Sequence, residues 1–287
     1  MGEVTVRGCG MKKKTKERLV KTFSMVILLA GSALMLLPFF WMVSTSFKDL
    51  SDVFVYPPKF FGSFIKWSNY VEVLQRFDFL PMFSNTLLVT IGVLVTELIT
   101  STMAGYAFAC LKFRGKNILF LFYLISMMIP FHVMLVPTFE LLKNMNLLNS
   151  LWSLIWPVLT LPFGVFLMRQ FYISIPDELC EAARIDGLNE FGIFSKIIFP
   201  LGKPGMATLT IFTFTNVWND FMGPLIYLKT QELKTVQLGI RMFISQYGAD
   251  YAWIMAASVC SLIPVVIVFL SCQRFFVEGV AASGIKG

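Results

Sequence analysis

Charge is scarce in this chain of 287 residues. Asp, Glu, Lys and Arg together supply 14% of it, against roughly 25% in soluble domains, which excludes an ordinary soluble globule. Histidine is nearly absent: His132 stands alone, and a packing or hydrogen-bonding role suits it better than catalysis. Five cysteines, at 9, 110, 180, 260 and 272, form no CxxC pair and no zinc-like Cys/His spacing. Cys110, Cys180 and Cys272 fall on the side assigned below to the cytoplasm, where disulfides are rare, and all five are read as unpaired thiols. A GxxxxGK[ST] phosphate loop is missing, since Gly115-Lys116-Asn117 lacks both the upstream glycine and the Ser/Thr. One histidine and scattered acids do not make a nucleophile–base pair or a metal-ligand set. No catalytic residue, metal or cofactor is expected.

What the chain has instead is apolar length. Hydrophobic residues make up 56%, and the mean hydropathy is +0.72. Windows nearly free of charge alternate with short segments that hold most of it, the pattern of spanning helices and loops. Six windows qualify as spans, at about 23–45, 83–109, 118–139, 150–171, 206–228 and 253–273. None shows the dyad alternation of a barrel, so the expected fold class is an all-α membrane protein with six transmembrane helices. The first window exceeds the 7–15 residues of a typical signal-peptide core and has no small-x-small cleavage pattern after it, so it is read as a retained helix. Pro130 frees a backbone carbonyl and is expected to kink the third span.

Basic residues set the direction. With the N-terminus inside, sixteen of the 24 fall on inner segments. The outer eight are Lys48, Lys59, Lys66, Arg76, Lys143, Lys229, Lys234 and Arg241. Both termini are therefore expected in the cytoplasm. The expected organisation is a basic cytoplasmic tail, 1–22, followed by one transmembrane domain, 23–287. The net charge of +7 is explained by this distribution and does not argue for nucleic acid.

One polar island interrupts the apolar chain at 172–204, longer than a connection between helices needs to be. Ser174-Ile175-Pro176-Asp177 reads as a helix start, with Ser174 able to cap and Pro176 in the first turn. Asp177, Glu178 and Glu181 lie near the positive end of the helix dipole. Gly187 offers a left-handed exit, and Asn189 can cap a second helix running towards Pro200. Ala182 and Ala183 present little bulk to a partner, and Leu179, Ile185, Phe191 and Phe194 provide apolar knobs. An interfacial helix lying on lipid is the competing reading. Between 177 and 196, however, five acids face only Arg184 and Lys196, a balance that anionic headgroups repel. Docking of a protein partner is the expectation.

The run Ile175-Pro176-Asp177-Glu178-Leu179-Cys180-Glu181-Ala182-Ala183-Arg184-Ile185-Asp186-Gly187, with Phe194, Ile197, Pro200 and Pro204, resembles the signature of binding-protein-dependent ABC permeases. Trp41-Met42 with Ser46-Phe47-Lys48, Gly105-Tyr106-Ala107-Phe108-Ala109, Trp218-Asn219-Asp220-Phe221 and the tail from Glu278-Gly279 to Lys286-Gly287 resemble its carbohydrate branch, which includes the maltose-type permeases. Cys180 departs from an acid common at that position, and Phe199 from a leucine. The resemblance implies a permease subunit paired with a second, homologous permease. It also implies a cytoplasmic ABC ATPase dimer, an external solute-binding protein and a small solute, a carbohydrate in this branch. It further implies that Glu178, Glu181, Ala182, Ala183, Asp186, Gly187, Ile197 and Pro200 form the ATPase-coupling site.

Three polar residues inside the apolar windows remain. Glu97 should face the bundle interior or the second permease, either lining the pathway or hydrogen-bonded in the packing. Asn219 and Asp220 could contact a sugar hydroxyl or fix a helix interface. A lone mid-span acid gives thin support to an ion-coupled secondary transporter. An importer of the same class carrying a glycerol phosphate ester is an alternative the sequence leaves open.

Overall fold

The computed structural model describes residues 10–76, 78–245 and 250–284; Cys9 and the Lys286-Gly287 end lie outside them. Among the described residues every regular element is helical. In chain order these are α1 Gly10–Ser46, α2 Leu50–Val53, α3 Ser68–Arg76, α4 Phe79–Cys110, α5 Lys116–Met127 and α6 Phe131–Asn144. Next come α7 Trp152–Ile155, a 3-10 turn Trp156–Val158, α8 Pro162–Ile173, α9 Asp177–Ile185 and α10 Glu190–Ile193. A π turn, Phe194–Ile198, leads into α11 Phe199–Leu201, then α12 Lys203–Trp218, α13 Met222–Tyr227, α14 Val236–Ser245 and α15 Tyr251–Gly284.

By length and composition, α1, α4 and α15 can each cross a membrane unbroken. Three further spans arise only if bent pairs count as one: α5 with α6, α7 with α8, and α10–α11 with α12. The kink expected at Pro130 is a full break of 99°. Proline has no N–H to donate and pushes the residue before it out of the helical region. Accordingly α5 closes with short-range bonds from Met128 N to Ile125 O (3.0 Å) and Ile129 N to Ser126 O (3.3 Å). Pro162 is the first residue of α8 and Pro204 the second of α12, both in a first turn where a missing N–H costs nothing. The window 206–228 is not one helix: α12 ends at Trp218, and α13 starts at Met222.

The centre of the bundle is α4, which packs along α8 and α12, while α12 lies on α15 and α1 leans on α15. The α4–α8 contact depends on two glycines. A Cβ at Gly105 would sit 2.7 Å from the Met168 Cβ, and one at Gly164 would sit 2.8 Å from the Glu97 carboxyl. Helices in a bilayer gain most from such close backbone approach, because lipid tails are as apolar as their own side chains. The large face of α1, including Leu28, Leu34 and Met35, is exposed, as expected of residues that meet lipid.

The connection 47–76 folds back on the end of α1 by its own polar contacts. Asn69 is buried and donates to the carbonyls of Ser46 (2.9 Å) and Lys48 (2.8 Å). Lys48 is also buried; it donates to Lys59 O at 2.7 Å and lies 4.3 Å from the Trp41 ring centre. The Ser46 hydroxyl is 2.7 Å from that of Tyr70. The Ser46-Phe47-Lys48 motif is therefore the anchor of this cap.

Candidate functional site

The polar island forms a helix, a tight turn and a second helix. Pro176, not Ser174, occupies the N-cap of α9. The Ser174 hydroxyl turns back to Phe171 O (2.6 Å), because Ser174 ends α8 and the extended Pro176 separates it from the new helix. Asp177 and Glu178 supply negative charge to the first turn. At the other end Gly187 takes φ +83°. Leu188 N then bonds Ala183 O (3.0 Å) and Gly187 N bonds Arg184 O (3.1 Å), which closes the helix by the 6→1, 5→2 pattern. Asn189 does cap α10, its side-chain oxygen accepting from Gly192 N at 2.8 Å.

The faces of α9 divide sharply. Cys180 and Ala183 turn inward onto Tyr106, Met168, Tyr172 and Ile193, so Ala183 is not available to a partner as the sequence suggested. Ile197 is half-buried in the same cluster. Glu178, Glu181, Ala182, Asp186, Gly187 and Pro200 are exposed, beside Leu179, Ile185 at 87% exposure and Phe191 at 68%. The structure thus brings the expected residues together on one element pair, with Ala183 and Ile197 on its inner side.

A link missed by the sequence reading ties this pair to the bundle. Arg184 Nε donates to Glu190 Oε1 at 2.8 Å, and Tyr106 Oη donates to Glu190 Oε2 at 2.6 Å. One carboxylate therefore joins α9, α10 and α4. Its pKa is held below the usual carboxylate range by the Arg184 bond first and the Tyr106 bond second, and the Arg184 guanidinium is held correspondingly more firmly protonated. Nearby, Lys116 Nζ donates to the carbonyls of Ala109 (2.8 Å) and Leu111 (3.0 Å), and Arg169 Nε donates to Phe108 O (3.1 Å). These cations satisfy carbonyls left open at the end of α4.

Inside the bundle, α4 carries a polar stripe of Thr86, Thr90, Glu97 and Ser101, all buried. The spacings of four, seven and four place them on one helical face. Glu97 is 0% exposed, and its Oε2 accepts from Thr213 Oγ1 on α12 at 2.7 Å. Glu97 thus takes part in the packing of α4 on α12, while its Oε1 is buried with no partner among the described residues. Asn219 lies near the end of α12, its Oδ1 3.1 Å from Gln237 Nε2 on α14. Asp220 accepts from Gly223 N at 3.2 Å and so starts α13. It also lines a cavity of about 430 Å³ between α4, α7, α12 and α13, a feature that no local sequence pattern announces.

The family described as binding-protein-dependent transport system inner membrane component matches residues 98–281 by its model, a stretch that holds the whole α9–α11 turn. The chain belongs to this family. As a family member it is a multi-pass component of the inner membrane, and the family is the permease component of ABC importers rather than the ATPase. One relative is the arabinooligosaccharides transport system permease protein AraQ of Halalkalibacterium halodurans, 39% identical over 205 residues, 71% of this chain and 74% of that one. Another is the sn-glycerol-3-phosphate transport system permease protein UgpE of Yersinia pestis, 33% identical over 269 residues, 91% of this chain and 96% of that one. The fold matches a chain from the crystal structure of a bacterial ABC transporter involved in the import of the acidic polysaccharide alginate. There the TM-score is 0.80 at 24% identity, covering 96% of this chain and 100% of that one.

Proposed function

We propose that this chain is one of two permeases of a carbohydrate importer driven by a separate ATPase dimer. The observation that carries the reading is the α9–α11 turn: its back is locked to α4 through Arg184, Glu190 and Tyr106, and its front exposes Ile185, Phe191 and acids. An apolar knob rimmed by charge, on a stiff element, suits reversible docking of a protein better than rest on anionic lipid. The lysine and arginine distribution supports placing this turn, and both termini, in the cytoplasm where ATP is. Glu178, Glu181, Ala182, Asp186 and Gly187 form the contact. Ala183, Ile197 and Pro200 help to hold its shape. ATP draws two such turns together and opens the bundle outward to receive solute from an external binding protein; hydrolysis resets it.

The solute class rests on the relatives. AraQ is named for arabinooligosaccharides and the structural neighbour for alginate, which supports a carbohydrate. UgpE, named for sn-glycerol-3-phosphate, supports a second reading of the same importer class with a phosphate ester as solute.

Glu181→Lys tests the coupling claim in cells that depend on this importer. The variant is expected in the membrane at normal abundance, without solute uptake and without co-purifying ATPase. Wild-type uptake by Glu181→Lys would refute docking on this face.

A further inference from the structure

The relatives leave two chemically opposite solutes, a neutral saccharide and an anion, and the cavity beside Asp220 separates them. Its volume of about 430 Å³ lies in the range of roughly 300–1,000 Å³ typical of small-molecule sites. The polar groups on its wall are Asp220, Asn216, Thr86 and Thr235, and Phe131 contributes an apolar surface; among the described residues no Lys, Arg or His lines it. Asp220 is fixed by the amide of Gly223. The Asn216 side chain is exposed and has no hydrogen-bond partner among the described residues. The Thr235 hydroxyl is buried without a partner, a cost that a solute hydroxyl would remove.

We infer that this cavity is a solute subsite selective for uncharged polyhydroxylated molecules, saccharides, over phosphate esters and uronates. The inference rests on the carbohydrate-importer reading and names its substrate class more narrowly. Sugar hydroxyls donate to the Asp220 carboxylate and the Asn216 carbonyl and accept from the Asn216 amide and the Thr235 hydroxyl. The C–H face of a pyranose or furanose ring lies against Phe131. A phosphate or carboxylate entering the same space meets a fixed carboxylate and no cation of this chain, so its lost hydration goes uncompensated. Depth in the fold also fits. Asn216 and Thr213 are one turn apart on α12, so the subsite lies one turn beyond the buried Glu97–Thr213 bond between α4 and α12.

The test uses the whole importer, purified with its second permease and ATPase. An Asn216→Cys substitution places a thiol on the wall, and its alkylation by a small maleimide is read by peptide mass spectrometry. Arabinotriose, sn-glycerol 3-phosphate and a guluronate trisaccharide serve as probes. Arabinotriose should slow alkylation at position 216 about tenfold at saturation, and the two anions should leave it unchanged. Adding Asp220→Asn should let the anions begin to protect, and Thr235→Val, which breaks no side-chain hydrogen bond among the described residues, should weaken protection by arabinotriose several-fold. Protection by either anion with Asp220 intact overturns the inference, and so does failure of arabinotriose to protect. ATP hydrolysis is measured in the same sample. If it is present while arabinotriose fails to protect, the subsite is wrong and the importer reading stands. If no ATPase co-purifies, the importer reading itself fails, whatever happens at position 216.

Discussion

The connection 47–76 and the turn 174–202 are both polar interruptions of an apolar chain, yet they are built on opposite plans. The first satisfies itself. Asn69, Lys48, Ser46 and Tyr70 direct their polar atoms at each other or at nearby carbonyls, and Phe47 packs edge-on to Trp67 at 4.7 Å. The second is fastened at its back, and Ile185 is 87% exposed among the described residues. A segment that has spent its hydrogen bonds on its own backbone is a lid. One that keeps an apolar front on a rigid base is a handle, and the difference predicts where substitution will unfold the protein and where it will only disconnect it.

The strongest break is Gly187→Pro. Proline cannot adopt φ +83° and has no N–H for the bond to Arg184 O, so α9 loses its orientation. Uptake should be abolished while membrane abundance stays near normal, measured by solute accumulation and immunoblot. Asn69→Ala tests the lid. It leaves two buried carbonyls without their donor and should cost about 2 kcal/mol, seen as a lower thermal midpoint in detergent with uptake per folded molecule unchanged. Glu190→Gln weakens the handle's fastening without removing it. Its pair with Arg184 is partly exposed, so the effect should be modest, uptake falling about two- to fivefold as for a pair worth under about 1 kcal/mol.

The smallest effect is acid sensitivity of the lid. Lys66 donates to Asp49 at 2.8 Å and, with Ser51, holds that carboxyl at about 2 against an ordinary 3.8. A depressed folded-state pKa contributes stability above the unfolded value, and that contribution is lost as pH falls through the folded one. Wild type should therefore lose a little stability between about pH 4 and pH 2, and Asp49→Asn should flatten that part of the curve. Melting in detergent across this window checks it.

The all-helical, apolar character was legible because lipid imposes it, whereas the bends in the spans, apart from the one at Pro130, were not. Local chemistry was legible wherever one residue type has one use: Pro130 for a break, Gly187 for a left-handed turn, Asn189 for a cap. Ambiguity entered with symmetry. On α9 both Leu179–Ile185 and Cys180–Ala183 look apolar, and only the bundle decides that the second pair turns inward. The Ser174 cap failed because α8 ends on that residue, which no local pattern announces. Tyr106 and Glu190 are 84 positions apart, beyond any periodicity, so their bond was invisible. The stripe Thr86, Thr90, Glu97 and Ser101 did carry a helical spacing, and reading the polar residues of a span with the care given to its apolar ones would have found it.

The first helix has a consequence for how the protein is made. Within its apolar window α1 is 0% buried, and the neighbour it leans on is α15, the last helix among the described residues. Synthesis delivers α1 to the bilayer more than two hundred residues before α15 exists. It must therefore be stable alone in lipid and wait. Until α15 arrives, the side of α1 that will lean on it stays open to lipid, so a ribosome that stops before α15 leaves α1 inserted without that neighbour.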